Sequence, residues 1–285
     1  MRNAGVRHPG RNAVICGVVA LGGIVAVALG AHEMQTLGHE TGRSAASISL
    51  GLLAAILGTA LFTNFLWAVR IVRAMRGGRT AIARWMVPAD QVERYREIDG
   101  RFAERGVEND YRLPRAIPAD GLEVIFSEDG VLIGDSYFGL ATTGMTRFQR
   151  VASIASDPPM IEFGTAMTVA RNPGRFTLQT VRGTLRVPVS REAARQADKI
   201  VRRFQDVIER RVIVKPHFWT VRIRGGLIVL VVCSLLAFTG FALADRNQEL
   251  GNIPLFLAVA GTIFAIGGAI MALLGWALRH RQHGR

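Results

Sequence analysis

Residues 253–278 read IPLFLAVAGTIFAIGGAIMALLGWAL, an uninterrupted apolar run without a charge. At 1.5 Å per residue such a helix is long enough to cross a hydrocarbon core of about 30 Å. Working back from it, three more charge-free stretches occur at 13–31, 48–69 and 225–244. A buried helix of a water-soluble protein is usually shorter and keeps a polar face. The pattern predicts a membrane bundle of four transmembrane helices, at 13–31, 47–71, 218–244 and 253–278. The long segment between the second and third, 72–217, is a soluble domain with a preceding helix. Residues 1–12 and 279–285 form short tails, and 32–46 and 245–252 form short loops.

An alternative for the first span is a secretory signal, since MRNAGVRHPGRN precedes it and Ala28-Leu29-Gly30 offers a cleavage site. Its apolar run of 19 exceeds the usual 7–15 residues of a signal core, which favours an uncleaved helix.

The formal charge is +13 over 285 residues. Arg2, Arg7 and Arg11 precede the first span, and Arg279, Arg281 and Arg285 follow the last. Between 70 and 224 there are 27 Arg or Lys against 18 Asp or Glu, a net of +9, whereas the loops 32–47 and 245–252 each sum to −1. Basic residues flanking spans stay on the cytoplasmic side. Both termini and the middle domain are therefore expected in the cytoplasm, and the short loops outside. Topology and attraction to anionic headgroups account for the charge. Aromatic residues interleaved with basic ones, which nucleic-acid binding needs, are missing, so no nucleic-acid partner is expected. Arg outnumbers Lys 33 to 2, a bias typical of GC-rich bacterial genomes, which points to a bacterial inner membrane.

Within the spans, small residues recur at helical spacing. The last span carries Ala258, Gly261, Ala265, Gly268, Ala272 and Gly275 on one face. The third carries Cys233, Ala237, Gly240 and Ala244, the second Ser47, Gly51, Ala54 and Gly58, and the first Cys16, Ala20, Gly23 and Gly30. Small residues let helices approach closely in lipid, so these read as packing seams, with a homo-oligomer face as the alternative. Ionisable residues are almost absent from the spans, and Asn64 is the one notable polar group. Proton relays and ion paths use such residues, which argues against a pump or transporter. Trp67, Trp219 and Trp276 lie at expected boundaries, where aromatic residues anchor to the interface. Arg70, Arg73 and Arg76 form a basic stripe as the second span leaves the bilayer, read either as a headgroup contact or as simple stop-transfer charge.

In the middle segment the period changes. Residues 80–87 read as a strand, 89–105 as an amphipathic helix after Pro88, and 107–121 as a loop. Strands are then expected at 122–127, 131–134, 137–142, 150–155, 160–170, 175–182 and 184–189, with turns at Glu128-Asp129-Gly130, Asp157-Pro158-Pro159 and Asn172-Pro173-Gly174. Gly183 is expected to break the ribbon between the last two. Ser190 reads as an N-cap, opening an amphipathic helix over 191–213. Seven short strands and a closing helix suit a small curled antiparallel sheet or barrel, an α+β domain with one open end covered.

The hairpin GLEVIFSEDGVLIG and the ending LRVPVSREAARQADKIVRRF resemble the pleckstrin-homology-like fold, as found in the YcxB-like group of bacterial membrane proteins that carry such a domain between spans. IARWMVPADQVERYREIDGRF and NDYRLPR are similar to segments of a group of proteobacterial inner-membrane proteins. The resemblance covers residues 81–208. It implies a curled sheet closed by a C-terminal helix and a binding-module role, not an activity. It transfers no headgroup pocket, because Glu128 and Asp129 make the first turn acidic.

Side chains suited to chemistry are few and scattered. His32, Glu33, His39 and Glu40 hold ligand-type side chains, but the histidines stand seven apart instead of the four that place both on one helical face. His217 beside Lys215, Phe218 and Trp219 reads as an interface anchor. No phosphate loop and no GxSxG occur. Cys16 and Cys233 are packing residues within spans. Glu123, Asp129, Asp135 and Glu162 read as a solvated face. No cofactor and no metal are expected. The resulting expectation is a non-enzymatic adaptor or regulator that binds a protein partner, a second copy of itself or the anionic membrane surface. A small transporter or channel subunit and a lipid-surface enzyme are the alternatives.

Overall fold

The computed structural model describes residues 5–39, 41–142, 146–172, 175–212, 217–246 and 253–281. In chain order the elements are β1 (Val6–Arg7), α1 (Pro9–Leu37), α2 (Gly42–Arg76), β2 (Ala81–Val87), α3 (Ala89–Glu104), β3 (Leu122–Ser127), β4 (Gly130–Ile133) and β5 (Ser136–Gly139). There follow β6 (Thr146–Ile154), β7 (Met160–Asn172), β8 (Arg175–Pro188), α4 (Ala194–Ile208), α5 (His217–Arg246) and α6 (Ile253–Arg281). They divide into two compact units, residues 1–18 with 57–214, and residues 19–56 with 215–285.

The long helices bury small residues and expose large apolar ones. Ala13, Ala20, Ala237, Ala258, Ala265 and Ala272 are buried, while Val14, Leu21, Leu50, Leu235, Phe238 and Leu273 are exposed. In water this would be costly; in lipid it is the expected arrangement, because tails solvate large side chains and helices meet through small ones. Three segments are long and apolar enough to cross a membrane: Pro9–Leu37, Gly42–Arg76 and Ile223–Ala242 within α5. In α6 the apolar run among the described residues is Ala260–Leu274. The approaches are backbone to backbone. A Cβ built on Gly261 would stand 2.6 Å from Ala237 N, and one on Gly268 2.7 Å from Leu230 N. Between α1 and α2, a Cβ on Gly23 would stand 2.5 Å from the Gly51 carbonyl. The start of α2 is capped reciprocally. The Ser44 amide donates to Thr41 Oγ1 and the Thr41 amide donates to Ser44 Oγ, each at 3.0 Å, which satisfies two donors the helix leaves unpaired.

The α+β region contains two antiparallel sheets. The first runs β1-β5-β4-β3-β2 and the second β6-β7-β8. Between them lie Phe126 from β3, Phe148 from β6 and Phe163 from β7, met by Phe204 from α4. Ring centroids are 5.4 to 6.2 Å apart, several in edge-to-face geometry. Ala197, Ile200 and Val207 complete the inner face of α4. Ser190 does cap this helix's entry, its Oγ accepting the Ala193 amide at 3.3 Å, but through a 3₁₀ turn, Arg191–Ala193. The helix ends at Ile208, short of the expected 213, and Arg210 follows at a left-handed φ of 59°.

Three expectations are corrected. Residues 1–12 are not simply a tail, since Val6 pairs with Tyr137 and Arg7 with Ser136 at the edge of the first sheet. Gly183 does not interrupt β8, which runs through it. Its missing side chain makes room for Asp110, whose Oδ2 would lie 2.9 Å from a Cβ there. The sheets do not close into a barrel. The segment after α3 occupies the outer edge of β8, where the Asp110 amide donates to the Thr184 carbonyl at 2.7 Å, and β8 ends in Pro188, which has no N–H to offer.

The first sheet is apolar on both sides. Val124 and Phe126 face the core described above. Ile125, Leu132 and Tyr137 face the other way and are covered by Val72 and Met75 from the last turns of α2.

The chain's three tyrosines, Tyr95, Tyr111 and Tyr137, are all buried here, and burial raises the pKa of each phenol above its usual value near 10. A raised folded pKa means that the folded state holds protons the unfolded state releases. The stabilisation is present below about pH 10 and is lost as pH rises beyond it. Tyrosinate absorbance should therefore stay flat past pH 10 and then rise together with loss of folded structure in one transition. A separate titration near pH 10 in the folded protein would contradict this packing. Gly261→Val should destabilise the detergent-solubilised chain by about 1–3 kcal/mol through overpacking, read as a lowered melting temperature.

Candidate functional site

The most distinctive geometry lies where α2 meets the first sheet. Gly134, at φ 56°, makes the tight turn between β4 and β5 and presents Asp135. Arg76 Nη2 donates to Asp135 Oδ1 at 2.7 Å and to the Gly134 carbonyl at 3.2 Å. Arg76 Nε stands 3.7 Å from Glu123 Oε2, and Arg84 Nη2 donates to Glu123 Oε1 at 2.5 Å. His8, the residue before α1, donates its amide to the Asp135 carbonyl at 3.1 Å, with its Nδ1 3.5 Å from Asp135 Oδ2. One turn thus gathers the residue entering α1 and the residue leaving α2. The charged groups are half-exposed, and such pairs contribute about 1 kcal/mol or less each. Burial of Val72 and Met75 contributes more, roughly 1.5–3 kcal/mol for each fully buried side chain. Apolar packing therefore holds the junction, and the ion pairs set its register.

A second constellation is internal. Arg186 on β8 is wholly buried. Its Nε donates to Asp99 Oδ1 at 2.7 Å, its Nη2 to the Val107 carbonyl at 2.8 Å, and its guanidinium lies 4.6 Å above the Phe102 ring. Glu162 Oε2 is 3.8 Å from its Nη1, and Glu162 also accepts from Arg150. Asn109 accepts the Arg186 amide at 2.9 Å and donates to Tyr95 Oη at 2.7 Å, while Tyr95 donates to the Arg186 carbonyl at 2.8 Å. Thr165 donates to Asp110 at 2.9 Å. These bonds tie α3 and the following loop to the second sheet, and each buried carboxylate is matched by a donor. At the surface, Asp157 is gripped by Arg191 at 2.6 and 2.5 Å and by Arg94 at 3.2 Å. The Arg191 hydrogen bonds hold its carboxyl below the usual range.

Residues singled out from sequence fall into several situations. Arg70 and Arg73 are exposed, and neither side chain makes a hydrogen bond or ion pair among the described residues, whereas Arg76 is engaged as above. Trp67 is half-buried and Trp276 exposed; the side chain of Trp219 lies outside those described. On α6, Ala258, Gly261, Ala265, Gly268 and Ala272 are buried, and Gly226, Ala237 and Gly240 of α5 lie at their level, while the surroundings of Gly275 lie outside the description. Glu33 accepts from Thr41 at 3.1 Å and stands 3.9 Å from Arg43, and His39 Nδ1 is 2.9 Å from the Leu37 carbonyl. Glu40, Lys215 and the His217 side chain fall outside the described residues, as do Pro173 and Gly174 of an expected turn. Among the described residues no three His, Cys, Asp or Glu side chains gather as metal ligands. The acidic residues expected on a solvated face are instead paired: Glu123, Asp135 and Glu162 with arginines, and Asp129 with Ser127 at 3.1 Å. Sequence reasoning did not single out His8, Asp99, Asn109 or Arg186.

No protein-family model, no curated protein and no solved structure matches the chain.

Asp99→Ala leaves the Arg186 guanidinium buried without its closest carboxylate and should cost about 3–5 kcal/mol in chemical denaturation. Replacing both partners together should cost less than the sum of the single changes.

Proposed function

We propose that the chain is a multi-pass membrane protein with four spans, both termini and the α+β domain being cytoplasmic. The domain acts as a non-enzymatic adaptor or regulatory module held at the membrane surface, where it meets a protein partner or the adjoining headgroups. The observation that carries this reading is the junction: α2 leaves its apolar segment and within two turns buries Val72 and Met75 in the first sheet, while β1 pairs beside β5 immediately before α1 begins. A module attached at both helix ends is presented at a fixed place instead of being tethered by a linker. The exposed Leu, Val and Phe of the long helices support the lipid setting. The charge asymmetry supports the orientation and the inner-membrane location.

A pleckstrin-homology-like reading of the domain draws support from the element order. A four-strand meander, β2 to β5, precedes a three-strand meander, β6 to β8, and α4 follows the last strand to pack between the sheets. The departures are α3, inserted after β2, and the added strand β1.

Reporters fused at positions 38, 130 and 248 of the full chain test the topology. The expected result is outside, inside, outside, and an outside signal at 130 overturns the orientation. Affinity purification of the full chain in mild detergent tests the role. A stoichiometric partner supports the adaptor reading, and substrate turnover or ion flux by the protein alone overturns it.

A further inference from the structure

The packing of α1 on α2 fixes which residues share a level. The helices run antiparallel: a Cβ on Gly17 would stand 3.3 Å from the Phe62 ring, and one on Gly30 2.9 Å from the Ser44 carbonyl. Extending the register from Gly17 to Arg11 matches an equal advance from Phe62 to Ala68. Arg11 therefore stands at the level of Trp67 and Arg70. At 100° per residue, Arg70 and Arg73 occupy the face of α2 opposite Ala68, Val72 and Met75, which are buried. Arg11, Arg70 and Arg73 are all exposed, and none of their guanidinium groups makes a hydrogen bond or ion pair among the described residues. The nearby carboxylates, Asp135 and Glu123, are already matched by Arg76 and Arg84. Three guanidiniums, spread with Trp67 over about 9 Å of the helix axis, thus lack a counter-charge among the described residues.

We propose that Arg11, Arg70 and Arg73, with Trp67, form a collar that binds the phosphates of anionic lipid headgroups and fixes the bilayer surface at this level. The inference rests on the membrane reading above. Guanidinium groups match phosphate oxygens in geometry and charge, and an indole suits the boundary between tails and headgroups. The spacing agrees: no Asp, Glu, Lys or Arg occurs on α1 between Arg11 and Glu33, about 33 Å of helix and close to one hydrocarbon core. Val72 and Met75 lie only about 3 and 8 Å beyond Arg70 along the axis, so the first sheet begins within the headgroup layer. Arg76 belongs to the domain's own ion pairs and takes no part in the collar.

The test uses the full chain in a non-ionic detergent, titrated with phosphatidylglycerol, phosphatidylcholine or inorganic phosphate, with bound lipid read by native mass spectrometry. Wild type should retain phosphatidylglycerol in preference to phosphatidylcholine, and inorganic phosphate at matched concentration should not displace it. Arg70→Gln and Arg73→Gln should each weaken retention about fivefold, the loss expected for about 1 kcal/mol per basic side chain at an anionic surface. Adding Arg11→Gln should abolish the preference, whereas Arg76→Gln should lower the melting temperature and leave the preference intact. An unchanged preference in the folded single variants, an equal loss in Arg76→Gln, or displacement by inorganic phosphate each overturns the collar. Failure of the membrane reading would show separately, as release of the chain from membranes by alkaline carbonate.

Discussion

Three consecutive residues of β3 are fully buried, Val124 and Phe126 toward one side and Ile125 toward the other, and Val131, Leu132 and Ile133 repeat the pattern on β4. A sheet that is apolar on both faces cannot stand with either one in water, since each fully buried side chain of this size represents roughly 1.5–3 kcal/mol. It needs two covers. The second sheet with α4 provides one, through the cluster of Phe126, Phe148, Phe163 and Phe204. The end of α2 provides the other, through Val72 and Met75. Removal of either cover would expose a row of large apolar residues. The helix is thus part of the domain's core as well as its connection.

The same requirement explains what could be read from sequence. The long apolar helices, the strands from β2 to β8 and the amphipathic α4 follow from local periodicity, which one segment shows by itself. The meeting of β1 with β5, the covering of the first sheet by α2 and the occupation of β8's edge depend on which distant segments meet. Periodicity does not encode that. In β3 the sequence LEVIFS can be read as alternating, yet the alternate residues face two apolar covers instead of one cover and solvent. Gly183 suggested a break because glycine weakens a strand locally. Its reason is tertiary, the room it leaves for Asp110.

The internal polar network shows the same dependence on distant partners. Arg186, Asp99, Asn109 and Tyr95 come from β8, α3 and the loop after it, and in sequence each resembles an ordinary surface residue. Buried together they pair most of one another's polar atoms, and Arg186 Nη1, which makes no hydrogen bond, faces Glu162 at 3.8 Å. Residues of the candidate surface were easier to find, because Arg70, Arg73 and Trp67 border an apolar run and that border is local. Arg76, three residues further, shares the stripe in sequence but is drawn into the fold by Asp135.

The pairing of Val6 with Tyr137 bears on the order in which the molecule is assembled. A chain made from its first residue releases Val6 and Arg7 long before their partner strand exists. The helices α1 and α2 are completed in the interval. The earliest-made strand therefore waits, held at the end of an already formed helix, and is among the last pieces of the first sheet to find its place. Closing so long a loop would be slow for a free chain. Here the search is shortened, because α2 docks on the same sheet and brings Asp135 within reach of His8.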